Sequence, residues 1–120
     1  RITEEELESL QRQLVKSAEM IGNADLQGMV EADTGFHQIL YQASRNERLA
    51  QIINNLREQI QRFRQTSLSY PGRMKIALEE HREIVDAVSA RDPEMARKLA
   101  QDHIENAENS MMQVIRDEKS

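Results

Sequence analysis

Apolar residues recur every three or four positions along nearly all of this 120-residue chain, and short polar breaks divide them into runs. That spacing lays a greasy stripe along one face of a helix, and such a face is buried by packing helix on helix. Thr3-Glu4-Glu5-Glu6 reads as a capping box, with Thr3 as N-cap and Glu6 three residues on. The stripe that follows is Leu7, Leu10, Leu14, Val15, Ala18 and Ile21, and Gly22-Asn23 reads as its left-handed stop. Asp25 is expected to cap a second helix bearing Leu26, Met29, Val30, Phe36, Leu40 and Ala43. Ser44-Arg45-Asn46 then breaks the pattern, and Asn46 can cap the next helix. A third helix is predicted from Glu47 to Leu68, buried along Leu49, Ile52, Ile53, Leu56, Ile60 and Phe63. Ser67 to Gly72 reads as a loop, with Pro71 near the first position of a fourth helix. That helix carries Met74, Ala77, Leu78, His81, Ile84, Val85 and Val88 and ends near Arg91. Asp92-Pro93-Glu94 is a strong start signal: a capping aspartate, a proline where no donor is needed, and an acid at the positive helix end. The last stripe runs from Met95 through Leu99, His103, Ala107 and Met111 to Ile115, and the helix ends near Asp117.

The expectation is an all-α antiparallel bundle of five to six helices, forming one domain over residues 1–120. Aromatic residues make up only 3% of the chain, with four glycines and two prolines, too few for the strands and turns of a β fold. The absence of cysteine excludes disulfides, thiolate zinc fingers and a cysteine nucleophile, so any metal must be held by nitrogen and oxygen. No apolar run approaches the roughly 18 residues of a membrane span. The net charge of −5, without a dense basic block, makes the chain by itself a poor nucleic-acid binder. It opens at Arg1 rather than methionine, so further sequence is expected upstream, and a cytoplasmic location is the default expectation.

All three histidines, His37, His81 and His103, fall on apolar stripes of three different helices. Asp33 precedes His37 by four residues, so carboxylate and imidazole share one helical face. Three inward-facing helices can bring these four groups together in the bundle core, where metal sites are commonly built. Three imidazoles and a carboxylate suit a divalent transition metal such as Zn, Ni, Mn or Fe. The alternative is a set of ordinary hydrogen-bonded core residues, which would make the chain a metal-free interaction bundle. Against that, burying an aspartate and three imidazoles without such a purpose is costly. A small metal-dependent hydrolase is a further alternative, but no additional general base stands near these residues in sequence. No Glu-x-x-His pair, His-Glu-x-x-His motif, phosphate loop or nucleophile elbow is present.

Two blocks carry a family likeness. Asp33-x-x-Phe36-His37-x-x-Leu40-x-x-Ala43-Ser44-x-Asn46 resembles the C-terminal ligand-sensing (FCD) domain of FadR-type regulators of the GntR family. Glu80-His81-x-x-Ile84-x-x-Ala87-Val88-x-x-x-Asp92-x-x-x-Ala96, followed by His103, resembles it too. The resemblance implies a non-enzymatic helical domain following a winged helix-turn-helix domain, which this chain lacks. It implies metal binding through residues that map to Asp33, His37, His81 and His103, beside a cavity for a small organic-acid effector. It further implies a homodimer acting on operator DNA. The arginine-bearing opening helix of such domains is missing here or reduced to Arg1. Arg62, Arg64 and Asn106 are candidate effector contacts, the arginines for their bidentate grip on a carboxylate. Each has an ordinary surface role as its alternative, while Asn46 is assigned to capping, Phe36 to the core, and Met74, Met95, Met111 and Met112 to packing or a dimer face.

Overall fold

The chain folds as an all-α bundle, seen in a computed structural model that describes residues 2–119. The expectation concerning Arg1 lies outside the described residues. Among the described residues there are six helices and no strands: α1 (Glu4–Gly22), α2 (Leu26–Ala43), α3 (Glu47–Asn55), α4 (Arg57–Leu68), α5 (Arg73–Ser89) and α6 (Pro93–Lys119). α1 packs on α2 and α5, while α6 packs on α5 and α4, and α4 also meets α2.

The starts follow the sequence signals. Thr3 and Glu6 close the capping box, with Thr3 N–H donating to Glu6 Oε1 at 2.9 Å and Glu6 N–H to Thr3 Oγ1 at 3.1 Å. Asp25, Asn46 and Asp92 accept backbone N–H bonds from Gly28, Leu49 and Met95 at 2.9, 3.0 and 3.1 Å. Pro71 is not at a helix start. It sits at the second position of a turn closed by Arg73 N–H to Tyr70 C=O at 2.9 Å, and Gly72 takes φ +82° there. Proline followed by a positive-φ glycine is the type II turn preference, which delays α5 to Arg73.

The predicted third helix is two helices. Leu56, at φ −102° and ψ 13°, divides α3 from α4. Asn54-Asn55 precedes the break, and both are weak helix formers whose side chains compete for nearby polar groups. Arg57 Nη2 donates to Asn54 Oδ1 at 3.1 Å, which fastens the corner. The burial expected along α3 and at Leu56 fails with it, while Ile60 and Phe63 of α4 are half-buried. No residue of α3 is buried, and Leu49, Ile52 and Leu56 are exposed, because α3 rests mainly on α2 at the edge of the bundle. In α1, Val15 is also exposed, and Ser17 takes the inward position instead.

Two apolar clusters form the core. Leu7 and Leu10 of α1 meet Phe36 of α2 and Val85 of α5 in one. Met29 and Val30 of α2 meet Leu68 of α4 and Ala77 of α5 in the other. Along both α2 and α5, the stretch between the two clusters carries the polar residues Asp33 and His81. This places a polar layer between two greasy ones.

The left-handed stop of α1 falls on Ala24 (φ 53°), not on Gly22 or Asn23. Asp25 N–H reaches Met20 C=O at 2.9 Å and Ala24 N–H reaches Ile21 C=O at 3.0 Å, the pair of bonds of a Schellman stop. A side chain in that conformation costs about 1 kcal/mol that glycine avoids. Ala24 is exposed and free to change. Ala24→Gly is expected to stabilise the fold by about 1 kcal/mol, raising Tm by roughly 3–6 °C in thermal denaturation. An unchanged or lowered Tm would contradict this account of the stop.

Candidate metal centre

α2, α5 and α6 converge on one point. Asp33 and His37 lie one turn apart on α2, and the side chain of His37 is 12% exposed. His81 of α5 is fully buried and His103 of α6 nearly so. His37 Nε2 and His81 Nε2 each stand 3.2 Å from Asp33 Oδ1. His81 Nε2 is also 3.2 Å from His103 Nε2. The donor atoms of all four residues lie within 4.8 Å of one another.

These contacts are close without being a satisfied hydrogen-bond network. Asp33 Oδ1 is buried and has no hydrogen-bond partner, despite two ring nitrogens beside it. Acceptor atoms crowded this closely are stabilised by something positive between them, a proton or a cation. A metal with bonds of about 2.0–2.1 Å to nitrogen and oxygen holds its tetrahedral ligands about 3.3 Å apart. The three 3.2 Å spacings and the orphaned oxygen fit a cation, so the four residues form a group that could hold a metal ion.

The electrostatics of two of the donors, His81 and Asp33, favour their deprotonated forms. Burial pushes the His81 imidazole down to about 3, against the pull of the Asp33 carboxylate, with His37 and His103 adding to the lowering. Burial pushes Asp33 up, but His37, His81 and Arg64 together outweigh it and hold the carboxyl below its ordinary range. His81 is further set by packing, its ring stacked on Phe36 with centroids 4.2 Å apart and planes 12° from parallel.

A cavity of about 210 Å³ opens beside these donors. Asp33, His37 and His103 reach its wall, with Arg64 and Arg73 as cations and Phe63 among its apolar lining. Of the candidate effector contacts, Arg64 is buried and faces this cavity. Its Nε stands 3.4 Å from Asp33 Oδ2, and its Nη1 donates to Thr34 Oγ1 at 3.2 Å. Arg62 is exposed and outside the lining, because two residues along the same helix turn it about 200° away from Arg64. Asn106 is also exposed and outside the lining, and its Nδ2 donates to Glu80 Oε2 at 2.7 Å instead.

Residues 1–106 match the FCD domain family. The chain belongs to the FCD domain family. The likeness read from the two sequence blocks is thereby borne out. The chain is 28% identical over 113 residues to the HTH-type transcriptional repressor RspR of Escherichia coli (strain K12), covering 94% of this chain and 50% of that protein. It is equally similar, over the same shares, to the uncharacterized HTH-type transcriptional regulator YdfH of Shigella flexneri. The chain thus spans about half the length of the curated relatives it matches. No solved structure gives a significant match.

Two residues of this FCD domain escaped the sequence reading. Glu80 stood in the second family-like block without a role, and Arg73 lay at the edge of a loop. In the fold, Arg73 is buried and its Nη2 donates to Glu80 Oε1 at 2.7 Å. The same Glu80 oxygen is 2.6 Å from His103 Nδ1. Burial pushes Glu80 up, yet its bonds from His103, Arg73 and Asn106 prevail and hold it at about 2. The available signal was the seven-residue interval from Arg73 to Glu80, two helical turns on one face.

The pH dependence follows from these groups. Unfolded, the His81 ring takes a proton near 6.5, whereas folded it resists until about 3. Unfolding therefore binds a proton in that window, and stability rises with pH through it. The contribution is fully present above about 6.5 and is lost as pH falls toward 3. Asp33 and Glu80 act in the same direction lower down, through the carboxylate range. With a chelator present, Tm followed by circular dichroism should drop steadily as pH falls through this window. A flat profile between about 6.5 and 4 would oppose a buried neutral His81.

Proposed function

We propose that this chain is the metal-dependent effector-sensing domain of a bacterial transcription regulator. In the full-length protein it works with an N-terminal winged helix-turn-helix domain, as a cytoplasmic homodimer on operator DNA, and it is not an enzyme. The observation that carries the reading is the convergence of Asp33, His37, His81 and His103, with an orphaned carboxylate oxygen between the rings. The names of the relatives, transcriptional regulators of the HTH type, support the regulatory half. Among the described residues, no helix is long and apolar enough to cross a membrane.

The four side chains would hold a divalent ion such as Zn, Ni, Mn or Fe, which supplies a Lewis-acidic centre for an effector oxygen. The effector is a small organic acid. Its carboxylate would meet the Arg64 guanidinium, which already faces the cavity and is only loosely engaged by its neighbours. Donors from α2, α5 and α6, with Arg64 from α4, would tie four helices to one ligand and favour one packing of the bundle. That bias can alter DNA affinity only if the effector prefers one packing over the other.

Metal analysis of the purified protein should find about one ion per chain, and adding chelator should lower Tm by mass action. The double substitution His81→Ala with His103→Ala should abolish the bound ion. Stoichiometric metal retained by that variant would sink the reading. For the effector, Arg64→Ala should weaken binding of small carboxylates about tenfold or more in calorimetry, while Arg62→Ala leaves it unchanged. Equal losses at the two positions would remove Arg64 from the effector site. On the full-length protein, operator titrations must respond to acids that bind.

A further inference from the structure

We propose that Glu80 is a positioning residue for the metal centre, holding the His103 ring so that Nε2 faces the shared donor cluster. This rests on the metal reading above but concerns a residue that touches no donor atom of the cluster. Glu80 and His81 are neighbours on α5, so their side chains leave the helix about 100° apart. His81 points straight at the cluster, while Glu80 reaches to α6 and meets the far side of the His103 ring.

The geometry is that of a carboxylate-histidine pair behind a metal site. Glu80 Oε1 stands 2.6 Å from His103 Nδ1. An ionised carboxylate can only accept, so in the neutral ring Nδ1 carries the proton and Nε2 keeps its lone pair. That lone pair is the one directed at His81 Nε2, 3.2 Å away. Glu80 is itself pinned. Arg73 Nη2 donates to Oε1 at 2.7 Å, and Asn106 Nδ2 donates to Oε2 at 2.7 Å. Arg73 is 3% exposed, which fixes its own place at the base of α5. Both Glu80 oxygens are therefore committed, and the ring it supports has one orientation.

His81 provides the contrast. Its Nδ1 is buried without a hydrogen-bond partner, and stacking on Phe36 sets its plane. Packing orients one imidazole of the centre, and a hydrogen-bond chain orients another. Removing such a partner typically costs about 10–100-fold in metal affinity. It also frees the ring to exchange tautomers.

The test compares the wild type with Glu80→Ala and Glu80→Gln. The amide oxygen of glutamine can accept the same Nδ1 hydrogen, whereas both variants lose the ion pair to Arg73. Zinc affinity is read by competition with a chromophoric chelator. The His103 tautomer is read from ring nitrogen shifts in the metal-free protein, at alkaline pH where imidazoles are neutral. Glu80→Ala is expected to lose about 10–100-fold in zinc affinity and to mix the His103 tautomers. Glu80→Gln is expected to keep the Nδ1–H tautomer and recover most of the affinity, although both variants lose similar thermal stability in chelator. If both lose zinc affinity equally, in step with Tm, Glu80 is a helix staple and the proposal fails. It fails also if Glu80→Ala keeps the wild-type tautomer. A wild type that takes up no zinc would defeat the metal reading itself. The tautomer comparison would then still decide whether Glu80 orients the ring. Should Glu80→Ala not fold, Glu80→Asp, one methylene shorter, withdraws the carboxylate and must lose at least about tenfold.

Discussion

The structure turns on a carboxylate and three imidazoles crowded together in a largely buried layer beside the cavity. Asp33 and His81 lie between two apolar clusters, one built on Leu10 and Phe36 and the other on Met29 and Val30. A buried carboxylate without a cation is among the costlier arrangements in a protein interior. Arg64 offsets part of that cost at Oδ2, from 3.4 Å. Oδ1 has the His37 and His81 ring nitrogens beside it, and His81 Nε2 in turn faces His103 Nε2. Helices α2, α5 and α6 meet at this spot, so their packing and the state of the donors are linked.

Much of this was legible in the sequence, for a definite reason. Caps and periodic stripes are local signals, and Thr3, Asp25, Asn46 and Asp92 each declare a helix start through their own side chain. The four donors were legible because polar residues stood on stripes that otherwise read as greasy. The failures came where the decision was not local. Residues 49–56 carry a good apolar stripe, but nothing in the stripe says how much of the bundle remains to cover it. Pro71 was read for its helix-start preference, while Gly72 beside it imposed a turn. The Glu80 to His103 link joins residues 23 apart on different helices, and such pairings become visible only with the fold.

Among the arginines, burial decided what spacing could not. Arg62 and Arg64 flank Phe63 symmetrically in sequence, and either could have turned inward. Arg64 shares its inward face with Ser67 and Leu68 one turn on, and its guanidinium finds Asp33, Thr34 and Tyr41 waiting on α2. Arg62 has no such reception and stays exposed. A guanidinium is buried where its planar fork is met by acceptors, and the acceptors here belong to α2 rather than to α4 itself.

Arg64 and Arg73 are both buried but have unequal freedom, and this bears on how a ligand could act. Arg73 is held by a short bond to Glu80 and sits behind the His103 ring, so moving it would disturb a donor. Arg64 is held by longer contacts, 3.2 to 3.4 Å, to the carboxylate, a hydroxyl and a phenol. An anion entering the cavity meets both cations, and Arg64, held by the longer contacts, can turn toward it more readily than Arg73. Arg64 belongs to α4, which follows the corner at Leu56 and leads back to the loosely covered α3. A ligand gripped by Arg64 would therefore draw on the least anchored end of the bundle while leaving the α5–α6 pairing behind His103 in place.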